Sequence, residues 1–143
     1  MTVKAILDSK GTDVATIEPT ADLASAVKLL AERRIGALVV VGPDQRVAGI
    51  VSERDVVRVL AEFGAAALEQ PIGQVMTRKV VTCNRAETIS SIMEQMTAGK
   101  FRHLPVVEEG QLIGIISIGD VVKYRTREIE FESATLRDYI RNA

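Results

Sequence analysis

One seven-residue stretch occurs twice in this chain, as GIVSERD at positions 49–55 and as GIISIGD at 114–120. Each copy holds a glycine, two β-branched residues, a serine, two variable residues and an aspartate, and each continues into Val-Val and then Arg58 or Lys123. That order predicts a buried strand, a tight turn and the start of a helix. Ser117 follows Ser52, and Asp120 follows Asp55, by the same 65 residues. A doubled strand-to-helix junction restricts the chain to architectures made of two equivalent units sharing one small protein.

The segments between the junctions repeat as well. Residues 1–13 form a lead-in ending in the turn-prone KGTD, and VATIEP is a short strand stopped by Pro19. Asp22 is placed to cap a helix whose apolar positions Leu23, Ala26, Val27, Leu30 and Ala31 recur at three and four, ending near Arg33 and Arg34. IGALVVVG is a buried strand, PDQR a turn and VAGIVS a second strand paired back on the first, after which Asp55 opens a helix to about Phe63. Residues 64–74, GAAALEQPIGQ, read as the linker.

The pattern then restarts. Met76 and Thr77 lead into a strand KVVTC, Asn84 to Thr88 supply a cap, and Ile89, Ile92, Met93 and Met96 share one helix face. FRHLPVV is a strand, EEGQ a turn, LIGIIS a strand and Asp120 a helix start. Leu23 and Ile89, like Ile35 and Phe101, lie 66 apart, so one residue is lost in the second copy's shorter turn, where a duplicated unit tolerates it. The order is β-α-β-β-α twice: a first repeat over 1–63, a linker over 64–74, a second repeat over 75–125 and a charged helical extension over 126–143. In the extension, Leu136, Tyr139 and Ile140 form a stripe that fits either packing on its own domain or association with a partner or a second copy.

Composition narrows the function classes. The 143 residues are 47% hydrophobic, enough for a proper core, and the apolar content is aliphatic, with no Trp, two Tyr and three Phe. A net charge of −1 and so few aromatics argue against nucleic acid as the partner. Cys83 is the one cysteine, so no disulfide closes within the chain and no cysteine cluster holds a metal. No signal-like start is present and no apolar run reaches about 18 residues, so a cytoplasmic location away from membranes is the default expectation. No nucleophile stands beside a base in a known pattern, no glycine loop cradles phosphate, and carboxylates suited to metal do not cluster, so no enzyme is expected.

Two readings fit the repeated Ser and Asp. As capping residues they satisfy free amides at a helix start. As ligand contacts, a carboxylate accepts hydrogen bonds from both hydroxyls of a ribose, the serine adds another, and the helix start favours phosphate.

The β-α-β-β-α order, the G-h-h-S-x-x-D endings, the FRHLPVV strand and the VMTRKVVTCNRAETI lead-in resemble tandem cystathionine-β-synthase (CBS) domains, the pair called a Bateman module, over roughly residues 3–125. The resemblance implies an α+β fold of two pseudo-symmetric repeats packed through their sheets, plus a C-terminal helix. It implies a regulatory module that binds an adenosine-containing ligand, AMP first, with ATP, NAD or S-adenosylmethionine as alternatives, in two clefts between the halves. A homodimer and a regulated partner protein come with it, and a ligand-free dimerisation or interaction scaffold is the second reading. One implied cleft has Asp120 on the ribose with Ser117, and Thr16, Ile17, Ala21, Ile35, Gly36 and Ala37 around the adenine. The other has Asp55 with Ser52, and Thr82, Cys83, Phe101 and Arg102 around the base. Phosphate contacts fall to Arg54, Arg102 and His103, and Arg54 faces Gly119 in the second copy, so the clefts are expected to differ in phosphate affinity.

Overall fold

A computed structural model describes residues 1–142. Each doubled segment folds as the periodicity predicts. In the first, β1 (Thr16–Ile17) lies parallel to β2 (Ala37–Val41), which pairs antiparallel with β3 (Val47–Ser52). In the second, β4 (His103–Glu108) and β5 (Gln111–Ser117) form an antiparallel pair. Both hairpins carry a register shift, at Val40/Val41 and at Val106/Val107, again 66 residues apart.

The helices repeat down to their ends. Asp22 caps α2 (Leu23–Arg33) by accepting from the Ser25 amide, and Thr88 caps α5 (Ile89–Gly99) by accepting from the Ser91 amide. Both helices close on a basic residue in the left-handed region, Arg34 at φ 54° and Lys100 at φ 57°. The helix after each G-h-h-S-x-x-D begins one residue past the serine: α3 spans Glu53–Phe63 and α6 spans Ile118–Asn142. Asp55 and Asp120 therefore sit in the first turn rather than at the start, and serine is the cap.

Several expectations change. The lead-in is a helix, α1 (Val3–Lys10), because Val3, Ile6 and Leu7 lie at the three- and four-residue spacing that presents one apolar face. The segment read as a linker is ordered too, as a 3₁₀ helix (Gly64–Glu69) and the short α4 (Ile72–Val75), with Ala67, Ile72 and Val75 buried. The charged C-terminal stretch is no separate element but the outer part of α6, which runs 25 residues without a break.

The KVVTC strand does not form. Only Cys83 bridges β4, donating its N–H to the Pro105 carbonyl and accepting from the Val107 amide. The reason lies in the partner strand. In the first repeat the Val39 amide donates to the Ala15 carbonyl, and Pro105, 66 residues on, has no N–H to donate to Val81.

Two hydrophobic cores result, and each is completed from the segment leading into the other repeat. Leu23, Leu30, Leu38, Val40, Val51 and Val59 pack with Ala67, Ile72 and Val75, which precede the second repeat. Ile89, Ile92, Leu104, Ile116, Val121 and Tyr124 pack with Val3, Ile6 and Leu7, which precede the first. The glycine that opens each junction admits this exchange. A Cβ on Gly49 would lie 2.5 Å from Met76 Sδ and 2.8 Å from the Thr77 carbonyl oxygen, and one on Gly114 would lie 2.7 Å from Leu7 Cδ2. Among the described residues, no helix is long and apolar enough to cross a membrane.

Candidate functional site

Both strand-to-helix junctions build the same reciprocal cap. The Ser52 amide donates to Asp55 Oδ2 at 2.9 Å and its hydroxyl lies 3.1 Å from the same oxygen, while the Asp55 amide reaches Ser52 Oγ. Ser117 and Asp120 reproduce the set at 2.9 and 3.1 Å. The first amide of each helix finds a carbonyl in its own repeat, Gly36 for Glu53 and Arg102 for Ile118. The capping reading thus holds at both sites, and the ligand reading must use what the caps leave free.

What remains differs between the two. Asp55 is 7% exposed, and its second oxygen accepts from Thr77 Oγ1 at 3.0 Å and Arg58 Nη2 at 3.2 Å. Asp120 meets the ammonium of Lys10, 2.7 Å from Oδ2, and Lys10 also donates to the Ile115 carbonyl at 3.0 Å. Thr77 and Lys10 both come from the segment that leads into the opposite repeat.

A cavity of about 320 Å³ opens beside Asp55, within the size range of small-molecule sites. Both repeats line it. Of the residues expected from sequence, it gathers Ser52, Arg54 and Asp55 with Gly36 on one side and Phe101, Arg102 and His103 on the other. Arg54 already reaches across, donating from Nη1 to the Lys100 carbonyl at 3.3 Å. Sequence reading missed Ile50, Glu53, Thr77, Lys79, Val80, Val81 and Lys100, which also line the cavity. Lys100 carried a signal: it matches Arg34 as the basic residue that ends its helix. Val80 and Val81 were read as strand residues, and the missing Pro105 amide leaves them to form the wall.

Thr82 and Cys83 do not line this cavity. Cys83 belongs to the second core, where burial first and Glu87 second push its thiol up to about 12, so no thiolate forms near neutrality. Phe101 packs against that core and also borders the cavity. The His103 ring stands against Gly36, where a Cβ would lie 3.1 Å from it. Burial pushes the His103 imidazole below its ordinary value against the attraction of Glu53, with Lys10 and Arg102 acting in the same direction as burial. It therefore offers a neutral ring near pH 7, and the cations around the cavity are Arg54, Lys79, Lys100 and Arg102.

The residues expected around Asp120 are not gathered in one cavity with it. Ile17, Ala21 and Ile35 pack against the first core, Ala37 is buried, and Gly36 faces the Asp55 cavity. Thr16 lines a separate cavity of about 380 Å³ with Thr12, Gln45 and Gln111. Burial disfavours the charged form of Asp120, but the Lys10 ammonium and the Ser117 bonds outweigh it and hold the carboxyl below the usual carboxylate range. A depressed carboxyl stabilises the fold above its unfolded pKa, and that contribution is lost as pH falls through the lower folded value. The stability gap between the wild type and Lys10→Met, followed by urea unfolding, is accordingly expected to be full at neutral pH and to narrow as pH drops below the ordinary carboxylate range. A gap constant down to strong acid would show that the ion pair contributes nothing.

Comparison with known proteins agrees with this architecture. Residues 3–62 and 72–127 each match the CBS domain family. A CBS-domain protein from Agrobacterium tumefaciens, solved by crystallography, superposes with a TM-score of 0.84 at 49% identity, over 87% of this chain and 92% of that one. The mitochondrial CBS domain-containing protein CBSX3 of Arabidopsis thaliana is 35% identical over 97% of this chain and 71% of its own length. A CBS domain protein from Pyrobaculum aerophilum, solved in complex with AMP, is 26% identical with a TM-score of 0.75, over 84% of this chain and 89% of that one. Both matched segments coincide with the two repeated units of the fold, and the chain belongs to the CBS domain family.

Proposed function

We propose that this chain is a regulatory module that senses a phosphorylated adenosine, of the AMP, ATP or NAD type, in the cavity beside Asp55. The observation that carries the reading is the charge of the cavity wall. Four cations, Arg54, Lys79, Lys100 and Arg102, face two carboxylates, Glu53 and Asp55, and the cations come from both repeats. Phosphate recognition by convergent Arg and Lys follows from their charge and donor geometry. A sulfonium-bearing ligand such as S-adenosylmethionine fits this wall less well. The AMP complex of the related Pyrobaculum protein supports the adenosine part of the reading.

Asp55 offers the ribose its second oxygen, where a sugar hydroxyl can replace the Thr77 hydroxyl while Arg58 keeps its contact. Phosphate competing for Arg54 breaks the Arg54 contact with the Lys100 carbonyl, which joins the two repeats. The ligand then shifts the arrangement of the halves by its differential affinity for the two states. Calorimetric titration with AMP, ATP, NAD and S-adenosylmethionine tests this. Binding of the phosphorylated ligands ahead of the sulfonium compound is expected, and no binding of any of them at millimolar concentration would sink the proposal.

The outer part of α6 favours a second reading, self-association. Val122, Ile129, Leu136 and Ile140 recur at seven, seven and four, share one helix face and are all exposed. Glu130 and Glu132 precede Arg137 and Arg141 along the same helix, so an antiparallel second copy sets unlike charges against each other. Sedimentation is expected to show a dimer that Leu136→Asp converts to monomer with nucleotide binding retained. A wild-type chain that stays monomeric at high concentration rules this out.

A further inference from the structure

We propose that a nucleotide bound beside Asp55 brings a proton onto His103, so that the module reads acidity together with nucleotide. The proposal rests on the nucleotide reading of the Asp55 cavity and adds a regulation of that same site.

His103 opens β4, where it pairs with Ser117, but its ring turns to the other repeat. A Cβ on Gly36 would lie 3.1 Å from His103 Cε1, 3.2 Å from Nε2 and 3.9 Å from Cδ of Glu53, so the imidazole and that carboxyl close over the same bare backbone. Both line the cavity, and the histidine is half-buried there.

Charged groups face the ring from four parts of the chain. Glu53 at the start of α3 and Asp120 in α6 favour a proton on it, while Lys10 at the end of α1 and Arg102 just before β4 oppose one. Two stand against two, and burial decides in favour of the neutral ring. Arg54, Lys79 and Lys100 line the same cavity and outnumber Asp55, which also keeps protons off the ring while no anion is bound.

A phosphate at this wall reverses the balance. It carries about two negative charges, and it pairs with the cations that oppose the proton. An imidazolium, moreover, donates from both nitrogens where the neutral ring donates from one. A ring more basic in the complex than in the free chain makes affinity highest below the free value. The gain is then lost as pH rises through the bound value. The phosphate's own proton, drawn off by pairing with cations, moves the opposite way, so the wild type has to be compared with a chain lacking the imidazole.

His103 is the one histidine in the chain, so the imidazole C–H signals in proton NMR of the untagged protein report it alone. Without ligand its titration midpoint is expected below the ordinary histidine value, and with saturating ATP it is expected to move upward. Calorimetry in buffers of different ionisation heat is expected to show more proton uptake on ATP binding in the wild type than in His103→Gln. Between about pH 5 and pH 8 the wild-type affinity should fall about tenfold more than that of the variant. ATP that binds with the histidine midpoint unmoved, or with the same proton uptake in both proteins, overturns the proposal alone. ATP that gives neither heat nor a shifted signal at any pH overturns the nucleotide reading and the proposal with it. Should His103→Gln fail to fold, the NMR titration of the wild type decides by itself.

Discussion

Arg102→Ala is expected to weaken ATP binding by about 10- to 100-fold, the equivalent of losing a charge-assisted contact of about 1.5–3 kcal/mol. Arg102 is placed for this by its backbone: its carbonyl accepts the first amide of α6, and β4 begins at the next residue. The side chain itself is exposed at the cavity and belongs to neither core. Removal should therefore leave the melting temperature nearly unchanged while lowering affinity. The loss should be larger at low ionic strength, where screening is weakest. Arg102→Lys should recover part of it, since charge returns without the fork geometry. Calorimetry of the three proteins at two salt concentrations measures all of this, and equal affinities throughout would remove Arg102 from the site. Asp120→Ala serves as the contrasting change, with ATP affinity at the Asp55 cavity expected to stay as it is.

The second large effect concerns stability. Ile72→Ala is expected to destabilise the protein by about 2–5 kcal/mol, the usual cost of emptying a fully buried aliphatic site. Ile72 has no exposed surface and packs in the first core with Leu23, Val51 and Val59. Were residues 64–74 an unpacked linker, the same change would stay within about 0.5 kcal/mol. Ile6→Ala makes the matching test in the other core, because Ile6 is equally buried among Ile89, Leu104 and Ile116. Urea unfolding resolves either difference, and a midpoint unmoved by Ile72→Ala would contradict the exchanged packing of the two lead-in segments.

Much of the fold was legible because it is local. The 3- and 4-residue spacing of Leu23, Ala26 and Leu30, the alternation in VAGIVS and LIGIIS, and the capping residues Asp22 and Thr88 act over a few positions, and all formed as read. The site was legible in part for the same reason. Ser52, Arg54 and Asp55 are neighbours in sequence, and Phe101, Arg102 and His103 are neighbours in their own copy. Lys79, Val80 and Val81 were missed because a strand was expected where Pro105 withholds its hydrogen bond. The resemblance implied Cys83 and Ile17 beside the bases of the two clefts, whereas Cys83 is buried in the second core and Ile17 packs against the first.

The doubled G-h-h-S-x-x-D determined by itself that the protein has two equivalent halves, each with a serine-capped helix and an aspartate in its first turn. Those outcomes depend on side chains reaching backbone groups three residues away. What meets each aspartate was decided only by tertiary structure. Thr77 meets Asp55 from 22 residues away and Lys10 meets Asp120 from 110. Each contact exists because a lead-in helix buries its apolar face in the core of the opposite repeat. The choice of core belongs to the packing of the whole chain, and it brings the Thr77 hydroxyl to Asp55, which Arg58 of its own helix also meets, and the Lys10 ammonium to Asp120.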